Sequence, residues 1–142
     1  MEPLPDGTVT AEAVIDDGGL SGRGRLTVLR LSWWASDPLA VELLLTAQPD
    51  HPALPRGRWV VLRDFLRYAL HEPTGDGAVR LRPDEVRDRL WLELARPGRA
   101  ACVSVARPFV RDFLSRTELA VPRGEERSDR AIDDLLERLL SS

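Results

Sequence analysis

The side chains able to do acid–base, nucleophilic or metal chemistry are few: His51, His71, Cys102 and scattered carboxylates. His51 lies in a proline-rich stretch. His71-Glu72 begins like a zinc-protease motif, but Thr74 and Gly75 stand where a second histidine is needed. The simpler reading of both imidazoles is a solvated surface histidine. Cys102 sits in AACVSVA with no base near it in the chain. A nucleophilic thiolate wants a base and electropositive surroundings, so Cys102 is expected to be a small buried residue. Gly22-x-Gly24 and Gly75-x-Gly77 lack the third glycine and the strand–helix context of a dinucleotide loop, and read as turns. The acid pairs Asp84-Glu85, Glu125-Glu126 and Asp133-Asp134 read as solvated charge. Asp134 and Arg138, four apart, read as a surface pair on a helix. These residues form no catalytic set, and neither a cofactor nor a metal is expected.

The aromatic and basic residues offer binding instead. Trp33, Trp34, Trp59 and Trp91 all fall on or beside expected strands, with Arg80 and Arg82 sharing one strand face. Indoles beside arginines on a sheet can stack the bases of a single strand, so Arg80, Arg82 and Trp91, with Trp33, form an alternative nucleic-acid face. The competing reading is that the tryptophans fill the core or an oligomer contact. Net charge is −3. From Thr117 onward four Arg face seven Asp or Glu, and the remainder is neutral. The footprint expected for a phosphate backbone is missing, so nucleic acid is the weaker reading. The chain has no lysine, no asparagine and two isoleucines, which suggests a genome rich in G and C. The number of arginines partly reflects that bias.

The 142 residues, 43% apolar and 30% charged, suit one soluble domain with a real core. A single cysteine excludes an internal disulfide and fits a reducing compartment. No apolar run approaches the roughly 20 residues of a membrane span, and MEPLPDG is not a signal peptide, so a cytoplasmic location is expected. Residues 1–7 read as a disordered start and 8–142 as a single domain.

Strands are expected from Val9 to Ile15, Arg25 to Trp33, Leu39 to Ala47, Arg58 to Leu62, Ala78 to Arg82, Arg89 to Arg96 and Arg99 to Ala106. The nearly all-apolar Leu39–Ala47 run reads as covered on both faces. Apolar residues at spacing three and four give a helix from Arg63 to Leu70 and another from Pro108 to about Thr117. A last helix follows VPRGEE, with Ser128 as N-cap and Ile132, Leu135, Leu136, Leu139 and Leu140 in its stripe. That stripe packs on the core or on a neighbour. Adjacent Trp33 and Trp34 point to opposite faces, so one of them is expected at a subunit contact. The interface set is Trp33, Trp34, Leu39, Leu136 and Leu140. The fold class is α+β, an antiparallel sheet of about seven strands with three helices.

One stretch, WVVLRDFLRYALHEPTGDGAVRLRP from Trp59 to Pro83, resembles the core of the SsgA-like family of actinobacterial sporulation and cell-division proteins. Asp37-Pro38-Leu39-Ala40-Val41 is similar to that family's Asp-Pro-aromatic-Ala-Val segment. Phe113-Leu114, Thr117, Val121-Pro122 and Gly124-Glu125 resemble its ending, and Leu135 and Leu139 its final helix. Ser32-Trp33-Trp34 stands where the family usually has Arg-Tyr-Asp, which leaves the subfamily open. The resemblance implies a whirly-like fold assembled as a trimer or similar oligomer. It further implies a non-enzymatic role at the septum, including positioning of the tubulin-like division protein FtsZ.

Overall fold

Alternating apolar and polar residues lay down two antiparallel sheets in this computed structural model, which describes residues 7–15, 27–47, 57–125 and 135–140. The first sheet runs β1 (Thr8–Val14), β2 (Thr27–Trp34), β3 (Asp37–Ala47), β4 (Gly57–Leu62), in that spatial order. The second runs β5 (Thr74–Asp76), β6 (Val79–Asp84), β7 (Arg89–Arg96), β8 (Arg99–Ala106). Each is a meander in which neighbours in sequence pair in space. Helix α1 (Arg63–Ala69) joins the sheets, and α2 (Arg107–Ala120) follows the second. Residues 135–140 are also helical and are termed α3.

Among the described residues eight strands stand in two sheets, where about seven in one sheet are expected from the sequence. The extra strand, β5, is three residues long and belongs to the Gly75-Asp76-Gly77 segment that reads as a turn. Gly75 lies so close to β6 that a Cβ would come within 2.9 Å of the Val79 carbonyl, and Gly77 turns the chain at φ +59°. Both positions need glycine.

One face of each sheet is sealed. Leu29, Leu31 and Trp33 of β2 share the core with Val41, Leu43 and Leu45 of β3. From the other sheet come Val79, Leu81, Leu90, Leu92, Leu94, Ala101, Val103 and Val105. The helices close this layer with residues three and four apart: Leu66, Ala69 and Leu70 of α1, and Val110, Phe113 and Leu114 of α2. Pro108 sits in the first turn of α2, where its missing N–H costs nothing. Thus β3 has one buried face, with Val41, Leu43 and Leu45 inward, while on the other Leu44 is half-buried and Thr46 exposed.

Arginines tie the layers together. Arg63, buried, donates to Thr117 Oγ1 at 3.3 Å and lies over the Trp33 ring at 5.4 Å. This joins α1, α2 and β2 through one side chain. Arg107 donates to the Leu70 carbonyl and to Asp88 Oδ1, and Arg67 pairs with Glu118. Between the sheets, Trp59 Nε1 donates to the Ala95 carbonyl at 3.0 Å while Arg96 covers its ring at 4.8 Å.

Candidate functional site

The sealed inner faces leave the two outer sheet faces as working surface, and they are built differently. On the first sheet, cross-strand rows place Glu12 beside Arg30 and Arg58 beside Leu44. Arg30 donates twice to Glu12 Oε1, at 3.0 and 2.8 Å. Arg58 approaches Glu42 at 3.8 Å. Arg138 of α3 completes the set: it pairs with Asp37, reaches Glu42 at 3.2 Å and lies over Trp34 at 5.4 Å. Arg138 therefore docks α3 onto the β2–β3 end of this face. Asp134, its expected partner, lies outside the described residues, as do Ser128, Ile132 and His51.

The expected interface residues separate. Trp33 is wholly buried, with its Nε1 donating to the Pro38 carbonyl at 2.9 Å. The register that points Leu29 and Leu31 inward carries Trp33 with them. It is a core residue and leaves both the interface set and the nucleic-acid set. Trp34 is half-buried beneath Arg138, and Leu39 is half-buried in a small dent with Leu62, Arg63 and Asp64. The α3 stripe does not close the core. Leu135 is buried, but Leu136 is 52% and Leu140 87% exposed.

On the second sheet the row Gly75–Arg80–Glu93–Cys102 lies beside the row Arg82–Trp91–Ser104. The structure thus brings Arg80, Arg82 and Trp91 together on one face. Arg82 sits 6.0 Å from the Trp91 ring centre. These residues, with the β5 lip, line an open concavity of about 490 Å³. Neither Arg80 nor Arg82 has a hydrogen bond or ion pair among the described residues. Arg89 differs, donating to both Oγ and the carbonyl of Ser104.

Cys102 is exposed in this concavity, not buried. Ala101, Val103 and Val105 take the inner positions of β8, so Cys102 and Ser104 fall on the outer ones. The AACVSVA string held that signal in its small polar residues at every second place. At the face's far end, Asp84 Oδ1 accepts the Arg87 backbone N–H at 3.1 Å. That bond, helped by the Trp91 indole and the Arg87 charge, holds the Asp84 carboxyl below its ordinary range against a lesser desolvation effect. No group of three or more His, Cys, Asp or Glu is placed to hold a metal among the described residues. Among those residues no helix is long and apolar enough to cross a membrane.

Residues 28–126 match the family model described as Streptomyces sporulation and cell division protein, SsgA. The chain belongs to the SsgA-like family. It is 32% identical over 125 residues to the sporulation-specific cell division protein SsgB of Kineococcus radiotolerans, covering 85% of this chain and 73% of that one. SsgB of Streptomyces coelicolor is 30% identical over 113 residues, covering 78% of this chain and 80% of its own. A solved SsgB structure, from work on longitudinal cell division during sporulation of Streptomyces coelicolor, superposes with TM-score 0.71 at 29% identity. It covers 84% of this chain and 92% of that one. An SsgA-like sporulation-specific cell division protein from Thermobifida fusca shares the fold, with TM-score 0.68 at 22% identity over 98% and 99% of the two chains. The α+β arrangement is thus that of the SsgA-like proteins, whose named relatives serve division during sporulation.

Proposed function

We propose that this SsgA-like protein is a non-enzymatic regulator that recruits or orients septal proteins, the FtsZ-type division machinery among them, as a homo-oligomer. The observation that carries the reading is the likeness to a sporulation-specific cell division protein over 85% of this chain and 73% of that one. The geometry gives a means. Trp34, Leu136 and Leu140 offer apolar surface around the docked α3, and Leu39 adds more in its dent beside Leu62, the kind of surface a subunit contact covers. The proposed assembly is a trimer in the cytoplasm at the septum, working without cofactor.

Co-sedimentation with purified, polymerised FtsZ from the same cells tests recruitment: the protein is expected in the pellet only when polymer is present. Light scattering tests assembly, with a mass near three times the 15.9 kDa chain expected. A strict monomer at micromolar concentration contradicts the oligomer, and its absence from the pellet contradicts recruitment.

A further inference from the structure

The concave outer face of the second sheet holds two guanidiniums that nothing in the described structure neutralises. On the first sheet the outer-face arginines Arg30 and Arg58, and Arg138 of α3, all meet carboxylates of the same chain. Arg80 and Arg82 do not, although Glu93 is the direct cross-strand neighbour of Arg80. They stand two residues apart on one strand, so their side chains leave the same face about 6.7 Å apart. A second extended chain lying along β6 repeats its own side chains at that spacing. Its carboxylates at i and i+2 match the two guanidiniums, each able to accept a forked pair of hydrogen bonds. Trp91, half-buried beside Arg82, gives an apolar side chain of that segment a flat surface.

We infer that this face binds an extended acidic segment of a partner protein, with acidic residues at alternate positions seated on Arg80 and Arg82 and an apolar side chain packed on Trp91. Glu93, between Arg80 and Cys102 in the row, sets a negative boundary on the β7 side. It confines the acidic groups to the β6 track. A single nucleic-acid strand fits less well. It needs a run of cations for successive phosphates and several stacking rings, whereas this face has two free arginines, one ring and a carboxylate among them. The inference rests on the recruiting role and deepens it by naming the partner's chemistry. Peptide binding and FtsZ co-sedimentation are read separately, so either can fail alone.

The probe is a fluorescein-labelled Gly-Ser peptide with a central Glu-Leu-Glu, titrated by fluorescence polarisation against the full chain. Saturable binding that weakens with salt is expected, and its loss when the peptide carries Gln-Leu-Gln. Arg82→Gln should weaken binding about tenfold. Glu93→Gln should strengthen it, a gain that a misfolded variant cannot give. Bound peptide should slow alkylation of Cys102, the chain's one thiol, which lines the same concavity. The proposal is overturned by absence of binding, by unchanged binding in the Arg80→Gln, Arg82→Gln double variant, or by an unprotected Cys102. Tighter binding of labelled oligothymidine than of the peptide also overturns it, and assigns the face to nucleic acid.

Discussion

The two sheets have the same strand number and the same meander order, and both bury one face in a shared core. Their outer faces differ. The first is self-satisfied: its arginines meet Glu12, Glu42 and Asp37, and Arg138 pins α3 across Trp34. The second leaves Arg80 and Arg82 without carboxylates beside a half-buried Trp91. Charge paired inside the chain contributes to holding its own parts in place. Charge left open costs little in folding and is available to a partner, so the contrast separates a structural face from a binding one.

Core truncations should be blind to that contrast and should give the largest effects. Leu43→Ala in the first sheet and Leu92→Ala in the second are each expected to lose about 2–5 kcal/mol in chemical denaturation, since both are fully buried in one cluster. Each variant should still unfold in one transition with an unchanged denaturant slope; a second transition would mean the sheets unfold separately. The outer faces should then diverge. Arg138→Ala removes the tie to Asp37 and Glu42 and should cost about 1.5–3 kcal/mol. Hydrogen exchange should rise in residues 135–140 while β2 and β3 keep their protection. Arg80→Gln and Arg82→Gln should each leave stability within about 0.5 kcal/mol of the parent, because neither gives up a hydrogen bond or ion pair among the described residues and Arg82 gives up only its exposed approach to the Trp91 ring. A loss as large as that of Arg138→Ala would erase the distinction.

The smallest effect is that of pH on the second face. Asp84 titrates lower in the folded chain than in the unfolded one. The unfolded state then binds the proton more readily, so the Asp84 contribution is present above the ordinary carboxyl value of 3.8 and is lost as pH falls through the depressed folded value. Asp84→Asn should flatten the acid limb of a melting-temperature profile slightly and leave neutral pH unchanged.

Much of this was legible in the residues. Leu29, Leu31 and Trp33, or Leu90, Leu92 and Leu94, announce a strand and its inner face together, since every second side chain must share a fate. The same rule puts Trp33 in the core with Leu29 and Leu31, and Cys102 on the surface opposite to Ala101 and Val103. Alternation puts Arg80 and Arg82 on one face of β6, and the fold sets Trp91 opposite Arg82 across the β6–β7 pair. What stayed hidden was long-range. Arg138 looked toward Asp134 four residues away, whereas it reaches Asp37 across 101 positions of chain. No local pattern encodes that contact. Strand β5 leaves no mark in the sequence, since three residues around a glycine carry no period.

The most direct test of the account is the position of a fluorescent fusion in sporulating cells, imaged against membrane stain as cross-walls form. A protein that presents its surface to septal partners should gather in bands at division sites before the walls close. Uniform fluorescence through the cell at that stage would contradict it.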